Sequence, residues 1–313
     1  MSLDKSYLDK FIKVTEFAAY GASSFIGRGD KNAADQGAVD KMRSELNKID
    51  MIGTVVIGEG EMDEAPMLFV GEKVGTKNGT EIDIALDPLE GTNFTANNLP
   101  GAFSVLVAAE KGNLLSAPDT YMEKIVTGSN LPENLLDLDN SVEKNINLLA
   151  EAMNRKTFDL RACVLKRPRH KEIIRTLNKL KVKINFITDG DVAGALSVIG
   201  TSPKNDIYLG TGGGPEGVIT AAALSCYGGQ IQGRLVLDNE EASRAQKLGI
   251  KDLKKKYNLV EMVKGDVIFC ASEVTNNDLV KGIKVLDHEF EVNTLALHKH
   301  QNIKKKITNT YKK

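Results

Sequence analysis

Hydrophobic residues near the start of the chain recur at the spacing of an amphipathic helix. Over 3–25 apolar side chains return every three or four residues, and a second such stretch, 39–49, follows Asp35, a residue type that often caps helices. Short β-branched runs separated by glycine-rich turns come next, as expected for strands. These runs are 54–57, 82–86, 103–108, 114–115 and 124–126. The first half is therefore predicted to be α+β and to open with two helices.

From about residue 160 the pattern changes to short strands that alternate with helices. The predicted strands are 163–165, 183–187 and 207–209, and the predicted helices are 171–180, 191–199 and 217–227. Such alternation predicts a parallel sheet with right-handed crossovers. A polar connector, 131–160, separates the two patterns. We therefore predict two domains: 1–150, which is α+β, and 151–313, which is α/β with a largely parallel sheet.

Charge and cysteine content narrow the classes of function. Asp and Glu number 42 and Lys and Arg 41, which argues against a nucleic-acid-binding protein because such proteins need a basic excess. The 3 cysteines are too far apart for a paired-cysteine metal site. The N-terminus has no apolar signal segment, and no stretch reaches the roughly 18 apolar residues of a membrane span. We expect a cytoplasmic protein with a small-molecule partner and no nucleic-acid or membrane partner.

Acidic residues recur at the ends of the predicted strands of the first half. They lie in 27–35 (GRGDKNAAD), 57–67 (IGEGEMDEAPM) and 82–92 (IDIALDPLEGT). Carboxylates held close together repel one another unless a cation neutralises them, and hard oxygen ligands select Mg²⁺ or Mn²⁺ over Zn²⁺. Helix caps and turns explain such acids equally well on spacing alone, Asp35 and Asp63 in particular. The pattern indicates either a divalent-metal site or a set of structural acids.

The hexapeptide 87–92, Asp-Pro-Leu-Glu-Gly-Thr, favours the metal site. Its proline fixes a turn between two acids, its glycine lets backbone N–H groups approach an anion, and its threonine supplies a hydroxyl. One segment thus offers metal ligands, a phosphate cradle and a group that orients water. Further polar loops follow the strands of the second half, where parallel sheets bind ligands. These loops are 167–170 (RPRH), 189–191 (DGD) and 212–216 (GGGPE).

The hexapeptide resembles the signature Asp-Pro-(Ile/Leu)-(Asp/Glu)-Gly-Thr of the metal-dependent, lithium-sensitive phosphatases, which include inositol monophosphatase. Its neighbours resemble the blocks of the class II, GlpX-type fructose-1,6-bisphosphatases, in that family's order, from about residue 10 to 280. These blocks are 27–35, 57–67, 117–124, 167–170, 189–191 and 212–217. The resemblance implies a layered αβαβα sugar-phosphatase fold and a homodimer or homotetramer. It implies hydrolysis of the 1-phosphate of fructose 1,6-bisphosphate to fructose 6-phosphate, a step of gluconeogenesis.

The resemblance also implies roles for individual residues, with metal bound mainly by the first domain and substrate by the second. The implied ligands of Mg²⁺ or Mn²⁺ are Asp35, Glu59, Asp87, Glu90 and Glu216. The implied substrate contacts are Glu90, Gly91, Thr92, Tyr121, Arg167, Pro168, Arg169, Asp189, Gly190, Asp191 and Gly213. We expect a threonine to orient the attacking water, carboxylates to assist it and a lysine to stabilise charge on the phosphoryl oxygens. The residues expected in these catalytic roles are Thr92, Glu59, Glu61, Asp63 and Lys31.

Three features depart from the family pattern. Arg167 stands where the family has lysine, the segment 234–240 is shorter, and the C-terminal sequence is unlike the family's and abbreviated. These departures concern the site of the distal phosphate and the oligomer contacts more than the reaction. Three assigned residues also have ordinary structural interpretations: Lys31 as a surface lysine, Tyr121 as a packing residue and Asp191 as a helix cap.

Other functions remain open on the sequence. A nucleotide-binding oxidoreductase would use the glycine-rich turn 210–217, but Pro215 stands where the dinucleotide fingerprint needs a third Gly or Ala. A non-catalytic sugar-phosphate-binding protein would keep the Arg and Gly loops without needing the carboxylates. Inositol monophosphate and sedoheptulose 1,7-bisphosphate are alternative substrates. The pair Arg167 and Arg169 favours a bisphosphate, because a monophosphate needs no second anion site.

Overall fold

The computed structural model of the protein describes residues 3–58, 67–200, 202–276 and 282–313. The predicted site residues Glu59, Glu61 and Asp63 lie outside these ranges. The chain divides into two compact units. Unit 1 is Met1–Asp119 with Val263–Lys313, and unit 2 is Thr120–Met262. Within the described ranges, no helix has the length and apolar character needed to cross a membrane.

Helices and strands are numbered in chain order. The α-helices of the described residues are α1 (Ser6–Ser23), α2 (Lys31–Leu46), α3 (Thr92–Ala96), α4 (Val142–Ala152), α5 (Lys171–Lys179), α6 (Asp191–Leu196), α7 (Gly214–Tyr227), α8 (Asn239–Lys247) and α9 (Leu259–Met262). The strands are β1 (Met51–Ile57), β2 (Lys73–Val74), β3 (Thr80–Glu90), β4 (Phe103–Glu110), β5 (Tyr121–Gly128), β6 (Arg161–Leu165), β7 (Lys183–Ile187), β8 (Ile207–Gly213), β9 (Gly229–Val236), β10 (Lys256–Asn258), β11 (Val267–Glu273), β12 (Lys284–Val285), β13 (Glu289–His298) and β14 (Ile303–Lys312).

Unit 1 is built on a mixed sheet of strand order β12-β13-β11-β4-β3-β1-β2, with β14 paired to β13. β1 runs parallel to β3, which pairs with β4 in the antiparallel sense. The helices α1 and α2 form a core with one face of this sheet, where Phe11, Met42 and Ile84 are fully buried. Complete burial of each such side chain contributes about 1.5–3 kcal/mol. This helix–sheet layer confirms the predicted α+β character of the first half.

Two predicted elements of unit 1 differ in the structure. α2 begins at Lys31 rather than near residue 39, because Asp30 caps it by accepting a 3.0 Å hydrogen bond from the Ala33 N–H. Asp35, the expected cap, therefore lies inside the helix. The predicted strand 114–115 is reduced to an isolated bridge between Leu114 and Val263.

Unit 2 contains a second sheet, in the order β10-β9-β5-β8-β6-β7. β6 runs parallel to both β7 and β8, and α5, α6 and α7 follow these strands as predicted. β5, β9 and β10 extend the sheet with antiparallel pairs. The predicted strand–helix alternation is thus confirmed over residues 161–227, and the antiparallel half of the sheet is an addition to it.

The two units divide the chain at other points than the predicted domains 1–150 and 151–313. β5 pairs with β8 and β9, which places it in unit 2 although it precedes residue 150. β11 pairs with β4, which returns the last part of the chain to unit 1. Both pairings join strands distant in sequence, so neither leaves a signal in the local hydrophobic pattern.

Candidate active site

The C-terminal end of β3 carries two of the predicted metal ligands, Asp87 and Glu90. Asp87 pairs with Val105 of β4 and Glu90 with Phe103, so β3 holds one extra residue between the two acids. Directly opposed residues of an antiparallel pair point to the same side, and 103 and 105 share a face of β4. This β-bulge therefore turns both acids to one face, which a regular strand would not do. Both side chains are buried.

The sequence predicts a turn at Pro88, but the chain instead stays within β3 up to Glu90 and accommodates the proline in the bulge. The Leu89 N–H donates a 2.9 Å hydrogen bond to Asp87 Oδ1, which fixes the chain around the proline. Gly91 has a φ of 83°, a conformation that glycine adopts readily, and it precedes α3. Thr92 is the first residue of α3 and is half-buried. The predicted catalytic threonine thus follows within two residues of Glu90.

Backbone hydrogen bonds attach the loop before α2 to α3. The Gly27 N–H donates to the Thr95 carbonyl at 2.9 Å, and the Gly29 N–H donates to the last residue of α3 at 2.8 Å. These bonds hold the loop before α2 against the helix that begins at the end of β3. Lys31 and Asp35, both on the first turns of α2, are therefore placed on the same side of unit 1 as the hexapeptide.

Asp35 has the features of a cation ligand. Its Oδ1 atom is buried and receives no hydrogen bond from the described residues. Burial raises the pKa of this carboxyl to about 6. A buried carboxylate oxygen without a donor is costly unless a cation neutralises it. A carboxylate oxygen is the kind of donor that Mg²⁺ or Mn²⁺ prefers, and the same holds for Asp87 and Glu90.

The described residues alone do not enclose a metal ion. Among them, no three His, Cys, Asp or Glu side chains come close enough together to coordinate one. The predicted ligand Glu59 lies outside the described ranges, although β1, which leads to it, ends beside β3 with Ile57 opposite Ala85. Asp83, which shares a face of β3 with Asp87, is structural, because it accepts a 2.6 Å hydrogen bond from the Gly112 N–H.

In unit 2 the predicted substrate residues Tyr121 and Arg169 lie against each other. The guanidinium carbon of Arg169 is 4.6 Å from the centre of the Tyr121 ring, a cation–π contact. Arg169 Nε also donates a 2.9 Å hydrogen bond to the Thr211 carbonyl. The tyrosine ring is 51% exposed. Arg167 and Pro168 belong to the same loop after β6.

His170 is buried beneath this loop and had no predicted role. The Thr211 N–H donates to His170 Nε2 at 2.8 Å, so Nδ1 carries the ring proton and donates to the Leu165 carbonyl at 2.7 Å. Burial lowers the pKa of His170, which favours this neutral ring. The histidine thus fastens the Arg loop to β8.

Asp191 begins α6 and lies in a buried network. Its carboxylate forms an ion pair with Lys124 of β5 and accepts a hydrogen bond from the Tyr208 hydroxyl of β8. Lys124 Nζ also donates to the Gly213 carbonyl at 2.6 Å. Gly212 is required beside this network, because a Cβ there would overlap the Asp191 carboxylate. The sequence analysis overlooked Lys124 and Tyr208; a lysine within the apolar strand 124–126 was the available signal.

Glu216 lies in the first turn of α7, with its carboxylate against the backbone of Gly213. Gly213 is the register partner of Tyr121. Asp189 and Gly190 form the turn between β7 and α6. Unit 2 therefore brings Tyr121, Arg169 and Gly213 together at the C-terminal end of β8. The loops that follow β6 and β7 both begin at the C-terminal ends of these two parallel strands.

Comparisons with known proteins identify the family of the chain. The family model for bacterial fructose-1,6-bisphosphatase, glpX-encoded, matches residues 5–311. The class 2 fructose-1,6-bisphosphatase of Haemophilus influenzae is 43% identical over 296 residues, which are 90% of this chain and 88% of that protein. The D-fructose 1,6-bisphosphatase class 2/sedoheptulose 1,7-bisphosphatase of Trichodesmium erythraeum is 37% identical over 314 residues, 92% of this chain and 91% of that protein.

Similarity to solved structures is weaker. The crystal structure of the extragenic suppressor protein SuhB from Bartonella henselae is 10% identical, covers 63% of this chain and 74% of that chain, and has a TM-score of 0.33. The assignment therefore rests on the sequence matches, which span nearly the whole chain. On these matches, the chain belongs to the family of bacterial, glpX-encoded fructose-1,6-bisphosphatases, which are phosphatases of the hydrolase class.

Proposed function

We propose that this chain hydrolyses the 1-phosphate of fructose 1,6-bisphosphate and releases fructose 6-phosphate and phosphate, with Mg²⁺ or Mn²⁺ as cofactor. The observation that carries the proposal is the β-bulge that turns Asp87 and Glu90 to one face at the end of β3. Paired carboxylates in this position suit a hard divalent cation. The class 2 fructose-1,6-bisphosphatase name of the relative from Haemophilus influenzae supports the choice of substrate.

The proposed metal ligands are carboxylates from several parts of the chain. They are Asp35, Glu59, Asp87, Glu90 and Glu216. The burial of Asp87 and Glu90 supports two of them, and the buried Oδ1 of Asp35, which has no donor among the described residues, supports a third. The inclusion of Glu59 and Glu216 rests on the family resemblance. The bound ions would supply a water of lowered pKa and neutralise charge on the phosphoryl oxygens.

Other residues of unit 1 act on the water and the phosphate in this proposal. Thr92 orients the attacking water through its hydroxyl, with Glu59, Glu61 and Asp63 as the assisting carboxylates. Gly91 leaves room for the phosphoryl group to approach the backbone. Lys31 is exposed at the start of α2 and adds a positive charge that stabilises the phosphoryl oxygens in the transition state.

Residues of unit 2 bind the remainder of the substrate in this proposal. Arg167 and Arg169 offer planar guanidinium groups for the second phosphate, which they recognise better than an ammonium group would. The contact of Arg169 with Tyr121 and its bond to β8 limit the orientations of the guanidinium. The loop 189–191 and Gly213 provide contacts for the sugar. Pro168 keeps the Arg loop in its short helical turn.

Sedoheptulose 1,7-bisphosphate is a second candidate substrate. The relative from Trichodesmium erythraeum, 37% identical to this chain, carries both bisphosphatase activities in its name. Both substrates are ketose bisphosphates with a phosphate at each end, so the same Arg pair would serve either. Inositol monophosphate lacks the second phosphate and fits the Arg loop less well. The family resemblance further supports a cytoplasmic homodimer or homotetramer, which light scattering after size exclusion would test.

A phosphate-release screen tests the proposed substrate. The purified protein is incubated with fructose 1,6-bisphosphate, sedoheptulose 1,7-bisphosphate, fructose 6-phosphate or inositol monophosphate, each with Mn²⁺, Mg²⁺ or EDTA. We expect phosphate release from fructose 1,6-bisphosphate with Mn²⁺ or Mg²⁺ but not with EDTA. The sugar product should be fructose 6-phosphate. A higher kcat/KM for inositol monophosphate than for fructose 1,6-bisphosphate would contradict the proposal. So would a protein that releases phosphate from neither bisphosphate.

A further inference from the structure

Two buried side chains of unit 2, Lys124 and Tyr208, belong to none of the proposed catalytic, metal-binding or substrate-binding groups. We propose that they are positioning residues for substrate binding: they hold the carboxylate of Asp191 and the carbonyl of Gly213, and thereby fix two substrate loops in one arrangement. These loops are 189–191 and the end of β8. The proposal rests on the proposed function, because it concerns the sugar side of the same site.

The burial of the charged pair is the first argument. The side chain of Lys124 is 1% exposed and that of Asp191 is 8% exposed. A lysine at this depth loses its hydration, so it is retained only where its protons are matched by acceptors. Lys124 has two such acceptors, the Asp191 carboxylate and the Gly213 carbonyl. One ammonium group thus joins the start of α6 to the end of β8.

The hydroxyl of Tyr208 completes the network. It donates to Asp191 Oδ1, while Lys124 donates to Oδ2, so both carboxylate oxygens are engaged inside the protein. Burial and the neighbouring Asp191 carboxylate raise the pKa of Tyr208, which keeps its donor proton in place. Both oxygens of Asp191 therefore take part in holding its loop in place.

The position of the network explains why it would act on substrate binding. It lies directly below the backbone of Gly212 and Gly213, since a Cβ at 212 would overlap the Asp191 carboxylate. Gly213 is opposite Tyr121 in the register of β5 and β8. Asp191 in turn follows Asp189 and Gly190 without a break. A shift of this carboxylate would therefore move the surface that the sugar contacts.

Two conservative substitutions test the proposal in the full-length enzyme with Mn²⁺. Tyr208→Phe removes only a hydroxyl, and Lys124→Met keeps the aliphatic stem but removes the charge. We expect Tyr208→Phe to raise KM for fructose 1,6-bisphosphate by about 3- to 10-fold, because one hydrogen bond within the network is lost. The value of kcat should change by less than about 2-fold, since the binding that is lost is common to ground state and transition state. Lys124→Met should raise KM more.

Controls separate positioning from general stability. Tyr257→Phe alters a buried tyrosine of β10, at the opposite edge of the same sheet from β7, and should leave KM unchanged. Combining Lys124→Met with Asp191→Asn should raise KM no further than Lys124→Met alone, because both residues act in one network. If Lys124→Met does not fold, the comparison of Tyr208→Phe with Tyr257→Phe decides.

The outcomes are distinct for the two proposals. A lower melting temperature of Tyr208→Phe with an unchanged KM would overturn the positioning role and leave a structural one. A wild-type enzyme that releases no phosphate from the bisphosphate would instead refute the proposed function. An active wild type whose KM rises as strongly in Tyr257→Phe as in Tyr208→Phe would also overturn the positioning role.

Discussion

A methyl group at position 213 provides a selective test of the role of Glu216. Gly213 has φ −67° and ψ 144°, a conformation open to any residue, so alanine meets no backbone strain. The three nearest heavy atoms to an ideal Cβ there all belong to the Glu216 carboxylate, which the Cβ would overlap. Non-bonded atoms need a separation of about 3.5 Å, so the carboxylate must move by on the order of 1 Å or more.

If Glu216 binds a metal ion, a displacement of this size should change the Mn²⁺ dependence of the enzyme, whereas loss of a sugar contact at Gly213 would leave that dependence unchanged. Misplacement of a catalytic group by ~1 Å costs about 100-fold in rate, so Gly213→Ala should lower kcat/KM by roughly that factor. The Mn²⁺ concentration for half-maximal activity should rise. The melting temperature should fall by less than about 4 °C, because a single flexible side chain absorbs the change.

Gly212→Ala is the matched control. A Cβ at 212 would overlap the Asp191 carboxylate, which Lys124 and Tyr208 hold in the interior. This carboxylate has little freedom to move, so the substitution should lower the free energy of unfolding by about 3 kcal/mol. Phosphate release over a Mn²⁺ titration and thermal unfolding measure both variants. Wild-type activity and Mn²⁺ dependence in Gly213→Ala would refute the metal-binding role of Glu216.

The remaining predictions concern stability. Burial raises the pKa of Asp206, but hydrogen bonds from Arg161 and Arg155 outweigh it and lower that pKa; its contribution is therefore full above the unfolded pKa of about 3.9 and is lost as pH falls through the folded pKa. When the free energy of unfolding is measured with urea from pH 7 to 3, it should fall less in Asp206→Asn than in wild type. An equal fall in both proteins would contradict this. Asp30→Ala removes the cap of α2 and should lower the free energy of unfolding by about 1 kcal/mol. Phe11→Ala should cost about 3–5 kcal/mol in the same assay, and a cost below about 1 kcal/mol would contradict the buried position of that ring.

Local pattern and chemistry were sufficient for part of this structure. The strands and helices from 161 to 227 follow from the alternation of strand and helix patterns in the sequence. Polar residues occur in the loops after these strands, where a parallel sheet is expected to bind its ligand. The hexapeptide 87–92 indicates a metal site because it combines two acids with a proline, a glycine and a threonine. In each case the signal lies in residues that are close in sequence, so it does not depend on which strands pair in the folded protein.

Features that depend on distant partners were not predictable. The bulge between Asp87 and Glu90 exists only in register with β4, so spacing alone could not place both acids on one face. The strand at 124–126 was predicted, but the charge of Lys124 is matched by Asp191, which is 67 residues away. The choice of Asp30 over Asp35 as the helix cap depended on which side chain reaches a backbone N–H.

The most direct test of the central claim is to add metal back to the chelator-stripped protein. The claim is that carboxylates at the end of β3 hold divalent cations on which hydrolysis depends. Stripped wild type should release no phosphate from fructose 1,6-bisphosphate and recover fully with Mn²⁺. Asp87→Asn should stay at least about 100-fold below it at every Mn²⁺ concentration, while Glu81→Gln, an exposed acid of the same strand, should recover like wild type. Full turnover by the stripped protein, or full recovery of Asp87→Asn, would contradict the claim.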